Sequence, residues 1–280
     1  MRKITENQII KAVSKLCHNA CFNLPDDVTQ ALKKSIEQEQ VPSASAILRD
    51  CVKNAEIAAE ESIPICQDTG FAVFFIELGY EVLLECDLYT AISKGVAEGY
   101  KTGYLRYSIV NDPLFKRINT NNNTPPVIHL ELKPGNELKI TLAPKGGGSE
   151  NMSAVAMLKP SDGKDGVRDF VVKTVVSAGG NPCPPVIVGV GIGGTFEKAA
   201  FLAKRSLLRR VGESHPESEY ADLECEILDA VNASGVGPQG LGGTVTALAV
   251  HIEYFPCHIA SLPVAVNLNC HAARHKTVIL

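Results

Sequence analysis

The first sixty residues carry helical stripes alone, and strand texture begins only at Ile63; that change narrows the possible folds more than any other feature. Residues 5–21 set Ile9, Ile10, Val13 and Leu16 on one face, the spacing of a half-buried helix. Leu24-Pro25-Asp26-Asp27 reads as a break and cap before a second helix over 26–38. Residues 43–60 predict a third, with Ile47, Leu48, Val52 and Ile57 inward. Beyond residue 63 the pattern mixes. FAVFFIEL (71–78) is strand-like and 87–103 helical, while VIHLELK (127–133) and LKITLA (138–143) alternate about Pro134-Gly135-Asn136, which predicts a β-hairpin. Helices are expected near 163–177, 195–210 and 216–232, and strands at 186–194, 244–255 and 260–268. Strands and helices do not alternate as βαβ units. The expected fold is therefore α+β, a helical N-terminal layer followed by mixed strands and helices, and not a Rossmann fold. No repeat or linker divides the 280 residues; NTNNNT (119–124) is the most loop-like stretch and is too short to separate domains. A single unit over 1–280 is expected, its helical part about 1–62 and its site-bearing part about 63–280.

The net charge is −4 with a pI near 6.0, and the basic residues are scattered, which argues against nucleic acid or an anionic membrane as the main partner. The start, MRKITENQIIKAVSKLC, breaks its apolar positions with charges, and no window approaches the roughly 18 apolar residues of a membrane span. A cytoplasmic protein is expected. Nine cysteines, an odd number, are many for a reducing compartment and point to metal or redox use. Cys66, Cys183 and Cys270 stand in polar or rigid loop settings, whereas Cys51 and Cys225 fall inside helical patterns. Paired zinc spacing is absent except for Cys17-x-x-x-Cys21, on a helix. Three separated thiols suit an iron–sulfur cluster assembled from distant loops; buried structural cysteines are the commoner use.

Three glycine runs invite close backbone approach. KGGGSEN (145–151) could offer N–H groups to an anion but lacks P-loop spacing. VGVGIGGT (188–195) imitates a dinucleotide fingerprint, yet Arg209-Arg210-Val211-Gly212 stand where a ribose-binding acid belongs. Backbone packing beside an acidic substrate is the better account of it. GVGPQGLGG (235–243) is the third run.

Taken in order, PICQDTG, LRYS (105–108), KGGGSEN, NPCPPVIVGVGIGGT (181–195), GPQGLGG (237–243) and the HIASLPVAVNLNCHAARH tail resemble the iron–sulfur class I fumarate hydratases. The likeness is to the alpha subunit of the two-subunit forms and of the related L(+)-tartrate dehydratase, and it runs over about residues 60–276. The resemblance implies a [4Fe–4S] cluster with one open iron, held by Cys66, Cys183 and Cys270. Leu262 stands where some single-chain relatives carry a further cysteine, which is not one of the three. It also implies a small dicarboxylate substrate bound by Gln67, Arg106 and the Gly146, Gly147 and Gly148 loop, with Asp68 and His258 as catalytic residues. Asp68 could transfer a proton or orient another group. Arg106 suits a carboxylate clamp, although a surface arginine after a helix is the ordinary reading. Lys145 could assist electrostatically or be a solvated loop lysine. Single-chain relatives carry a second, C-terminal domain, so a chain ending at Leu280 is expected to need a separate beta subunit, with alpha–alpha contact in a larger oligomer. The implied reaction is hydration of fumarate to (S)-malate, with tartrate dehydration as the alternative and a non-catalytic iron–sulfur scaffold as the reading from another class.

Overall fold

A computed structural model describes residues 1–280. In chain order its elements begin with β1 (Arg2–Ile4), α1 (Glu6–Phe22), α2 (Asp26–Gln38), α3 (Pro42–Glu61), β2 (Phe71–Gly79) and β3 (Val82–Leu84). They continue with α4 (Leu88–Thr102), β4 (Val127–Lys133), β5 (Leu138–Lys145), the single turn α5 (Gly147–Glu150) and β6 (Ala154–Leu158). The rest comprises α6 (Gly163–Ala178), β7 (Val186–Gly193), α7 (Phe196–Ser206), α8 (Ser218–Asn232), β8 (Ala247–Phe255), β9 (Leu262–Asn269) and β10 (Lys276–Ile279). Helices combined with mixed sheets make the fold α+β, as the sequence predicts. No helix is long and apolar enough to cross a membrane.

The chain forms two compact units. One comprises Met1–Leu24, Ala55–Gly147 and Arg274–Leu280; the other comprises Pro25–Asn54 and Gly148–Ala273. The helical opening is thus shared, α1 going to the first and α2 to the second. Along α3 the buried face runs Ala44, Leu48, Val52, Ala55, Ala58. Ile57, expected inward, lies one position off that stripe and is exposed.

In the first unit, α1 starts with a capping box: the Thr5 hydroxyl accepts the Gln8 N–H while the Thr5 N–H donates to the Gln8 side chain. Its buried face (Ile9, Val13, Leu16, Cys17, Ala20) shares one core with Ile92, Val96 and Tyr100 of α4 and with Phe74, Ile76, Ile140 and Leu142 of the sheet. Each Ile, Val, Leu and Phe among them contributes about 1.5–3 kcal/mol by leaving water. The four-stranded sheet has the order β10-β5-β2-β4. The expected hairpin of β4 with β5 does not form. Instead β2 lies between them, parallel to β4 and antiparallel to β5. Alternation identified the strands but carries no information about partners. Burial decides it: β2 hides Ala72, Val73, Phe74 and Ile76 and takes the centre, while β4 exposes Val127, Leu130 and Leu132 and takes an edge. The Pro134–Glu137 connection is fastened round the end of β2, with Gly79 N–H donating to the Glu137 carbonyl and Glu81 N–H to the Gly135 carbonyl, both at 2.9 Å.

The second unit is built on the sheet β6-β9-β7-β8, in which β7 is parallel to β8 and antiparallel to β9. All eight residues of β7 are buried. A Cβ on Gly191 would lie 2.0 Å from the Ala199 carbonyl oxygen of α7, and one on Gly189 would lie 2.1 Å from that of Ala203. The glycine run therefore admits a helix against a strand, which accounts for its pattern without a dinucleotide. Next to it, Arg209 forms a buried ion pair with Glu224, whose carboxylate also accepts the Ile252 and His215 N–H groups.

His251 of β8 is 2% exposed, and its Nδ1 is buried without a hydrogen-bond partner. Burial first, and then the nearby Arg209 cation, push its pKa down to about 4, against a hydrogen bond to the Ser206 backbone and the charge of Asp27. The unfolded chain takes up this proton near pH 6.5 and the folded chain only near pH 4, so the stability conferred above pH 6.5 is lost as pH falls through that window. Unfolding by urea between pH 7 and pH 4 should reveal a loss of about 3 kcal/mol from this group. The His251→Gln variant should lack that component; parallel pH profiles for the two proteins would remove His251 as its source.

Candidate functional site

The turn CQDTG, between α3 and β2, is held from several directions inside the first unit. Thr69 is buried, and its hydroxyl accepts the Arg106 N–H at 3.0 Å and donates to the Arg106 carbonyl at 3.3 Å. The Tyr100 hydroxyl reaches the carbonyls of Thr69 and Gly70, and the Cys21 thiol lies 3.8 Å from the Thr69 carbonyl. Burial pushes the Cys21 pKa up to about 11, and that of Cys17 well upward, so the helix cysteines behave as small core groups. The Arg274 guanidinium donates to the Asp68 carbonyl.

Asp68 accepts two backbone donors with its carboxylate, Gly70 N–H at 3.1 Å and Gly147 N–H at 2.7 Å. The glycine loop therefore spends one of its N–H groups on a side chain of the chain itself. Gly146 lies against the same carboxylate, where a Cβ would sit 3.1 Å from Oδ2. Gly148 belongs to the second unit and faces the Asn181 carbonyl. Lys145, at the end of β5 opposite Phe71, is 6% exposed, so the reading as a solvated loop lysine does not hold.

Arg106 has its backbone fixed and its side chain exposed, and its guanidinium bonds to no group of the chain. Gln67 is exposed beside Cys66, whose thiol points at its Oε1 over 3.2 Å. The Asp68 N–H lies 3.4 Å from the Cys66 sulfur. An N–H aimed at sulfur is a common means of stabilising a cluster thiolate.

Sequence reasoning missed Asn123. The NTNNNT stretch looked like plain loop, yet Asn123 is fully buried with φ 57, a left-handed conformation that asparagine tolerates. Its amide donates to the Gly70 carbonyl and its Oδ1 accepts the Ser108 N–H at 2.8 Å. Asn123 and Thr69 together lock the LRYS segment to the CQDTG turn. The signal was the asparagine run itself, since such residues favour αL positions.

In the second unit, the loops of Cys183 and Cys270 meet at one end of β7. Asn269 pairs with Ile187, and the His271 N–H donates to the Cys183 carbonyl at 3.3 Å. Cys183 is exposed and Cys270 half-buried; neither is in a disulfide. Cys51, set apart by the sequence as a helix residue, belongs to this neighbourhood: its thiol is pushed up to about 11 by burial first, then by Asp50, Cys183 and Cys270. No three His, Cys, Asp or Glu side chains gather tightly enough to hold one metal ion. A cluster of several irons spans its thiols more widely than one ion spans its ligands, and Cys183 and Cys270, on rigid loops at one end of β7 and in no disulfide, are compatible with such a group.

His258 is not brought to the cysteines. It follows Phe255, which pairs with Gly193 at the far end of β7, and an eight-residue strand spans more than about 20 Å. There it is exposed, with its Nδ1 accepting the Ala260 N–H, and it borders cavities of about 520 and 450 Å³ together with Cys257.

Comparison with known proteins agrees with the motifs. A family model described as fumarate hydratase (Fumerase) matches residues 10–279. The protein of Methanocaldococcus jannaschii named putative L(+)-tartrate dehydratase subunit alpha is 41% identical over 272 residues, which is 95% of each chain. L(+)-tartrate dehydratase subunit alpha of Escherichia coli K12 is 32% identical over 280 residues, covering 98% of this chain and 91% of its own.

The lock on CQDTG can be tested by stability. Asn121 and Asn123 share a positive φ, so alanine at either carries the same backbone penalty. Only Asn123→Ala also leaves buried groups unpaired, and it should cost about 2 kcal/mol more than Asn121→Ala in denaturant unfolding. Equal losses would mean that the buried amide bonds contribute nothing.

Proposed function

Because the chain belongs to the fumarate hydratase family of hydro-lyases, we propose that it is the alpha subunit of an enzyme that reversibly hydrates fumarate to (S)-malate. The observation that carries this reading is the Thr69–Asn123 lock, which sets an uncommitted, exposed arginine beside the CQDTG turn. A passive iron–sulfur scaffold has no use for such a group.

Cys66, Cys183 and Cys270 would hold a [4Fe–4S] cluster, whose open iron supplies a Lewis acid for the departing hydroxide when bound. The remaining work falls to this chain's own groups. Arg106 clamps a substrate carboxylate through two parallel N–H donors, which suit a planar anion. Gln67 and the backbone of Gly146 and Gly148 orient the dicarboxylate, while the Gly147 N–H serves it indirectly by holding Asp68. Asp68 is oriented by the Gly70 and Gly147 N–H groups, which leave a lone pair on each oxygen, and it holds or moves a proton beside the departing hydroxyl. Turnover requires a beta subunit. The printed names of the relatives, each a subunit alpha, support the same requirement. His258, at the opposite end of β7, acts on the substrate bound to a second alpha chain. The nine cysteines support a reducing, cytoplasmic setting.

A second reading is dehydration of L(+)-tartrate to oxaloacetate, favoured by the names of the relatives. The chain co-expressed with a beta subunit and reconstituted anaerobically is to be assayed on fumarate, malate and both tartrate enantiomers. Fumarate and malate should turn over fastest; preference for L(+)-tartrate would establish the second reading, and inactivity on all four would sink both. Changing Cys66, Cys183 or Cys270 to Ser should abolish iron retention, whereas Cys225→Ser should preserve it. The role of His258 has its own check. Mixed oligomers of Cys183→Ser and His258→Asn chains, each inactive alone, should regain part of the activity, and no recovery would exclude action across copies.

A further inference from the structure

The GVGPQGLGG loop is fastened to the cysteine end of β7 by a side chain that the chemistry above leaves unused. Gln239 lies in the short turn Pro238–Gly240 with φ 54 and ψ 16, a left-handed conformation that costs a residue bearing a side chain about 1 kcal/mol. The neighbouring backbone comes very close: a Cβ on Gly240 would stand 2.4 Å from the Cα of Gly180, just ahead of Cys183. Here the Gln239 N–H and its side-chain Nε2 both donate to the Pro184 carbonyl, each at 2.8 Å. The same Nε2 lies 3.1 Å from Nδ1 of His271. One amide therefore touches the residue after Cys183 and the residue after Cys270.

The rest of the loop is rigid. Gly237 N–H donates to the Thr246 hydroxyl, Asn232 accepts the Thr246 and Ala247 N–H groups, and Glu39 accepts those of Thr244 and Val245. Cys183 has φ 56, so two strained residues are joined through the Pro184 carbonyl. Strain of this kind persists where surrounding bonds over-determine it, and it clusters at working sites.

We propose that Gln239 is a positioning residue that fixes Cys183 relative to Cys270 and thereby governs how firmly the cluster keeps its iron. The proposal rests on the reading of those two cysteines as cluster ligands. A side chain that only stapled the loop would shift the unfolding midpoint and leave the cluster unchanged.

The full chain, with any beta subunit that co-purifies, is to be compared with Gln239→Met, Gln239→Gly and the exposed-loop control Leu241→Ala. Gln239→Met keeps the volume without the donor, and Gln239→Gly suits the positive φ and retains the backbone bond, so folding is secured in at least one variant. After anaerobic reconstitution, iron loss to a ferrous chelator and the paramagnetic resonance spectrum of the oxidised cluster are recorded. In parallel, cluster-free chains are alkylated with iodoacetamide and the rates at Cys183 and Cys270 read by mass spectrometry. Both Gln239 variants should lose iron about 10-fold faster, with altered spectra and faster Cys270 alkylation, while Leu241→Ala behaves as wild type. Wild-type iron loss and spectra in both Gln239 variants would overturn the proposal, whatever their melting temperatures. An alkylation response in a chain that takes up no iron would instead overturn the cluster reading and leave the clamp standing.

Discussion

β7 can lie against α7 only because Gly189 and Gly191 present no side chain to the helix backbone. The second unit depends on that contact. It buries β7 on both faces, and a strand so enclosed has to have its ends finished by loops that carry polar groups. At one end those loops bring Cys183 and Cys270 together; at the other they bring Cys257 and His258. The rigid strand thus separates two sets of reactive side chains by its own length. The resemblance of the motifs assigned both sets to one site without regard to that length.

In the first unit the corresponding constraint is polar. The CQDTG turn lies over a core sealed by Tyr100 and Cys21, and its carbonyls would be costly to leave unpaired there. Tyr100, Asn123 and the Arg274 guanidinium supply the donors. Because these bonds serve the backbone, Gln67 and Arg106 are left exposed for other work. Preorganisation of this sort lets a site bind without first ordering its own loops.

Much of this was legible in the residues. The helical stripes of α1, α2 and α4, the strand character of β2 and the unusual surroundings of Cys66, Cys183 and Cys270 all follow from local spacing. What could not be read were pairings. β4 and β5 alternate as a hairpin should, yet the more apolar β2 displaces that pairing, a competition among segments far apart in sequence. Asn123 was passed over because its environment arises from Gly70 and Ser108 and not from its neighbours. The burial of Lys145 and the company that Cys51 keeps on its helix were out of reach for the same reason: both are properties of the folded chain.

The order of strands in the first unit also bears on how the chain is made. β5 takes β10 as its outer partner, with the Thr141 and Thr277 hydroxyls 2.8 Å apart, but β6 through β9 are translated in between. At about 5–20 residues per second, the ribosome delivers β10 roughly 10 s after β5. Throughout that interval one edge of β5 has its backbone donors and acceptors unsatisfied, open to pairing with other nascent chains. Residues 276–279 therefore close a seam that the growing polypeptide has to leave open while most of the other unit is being synthesised.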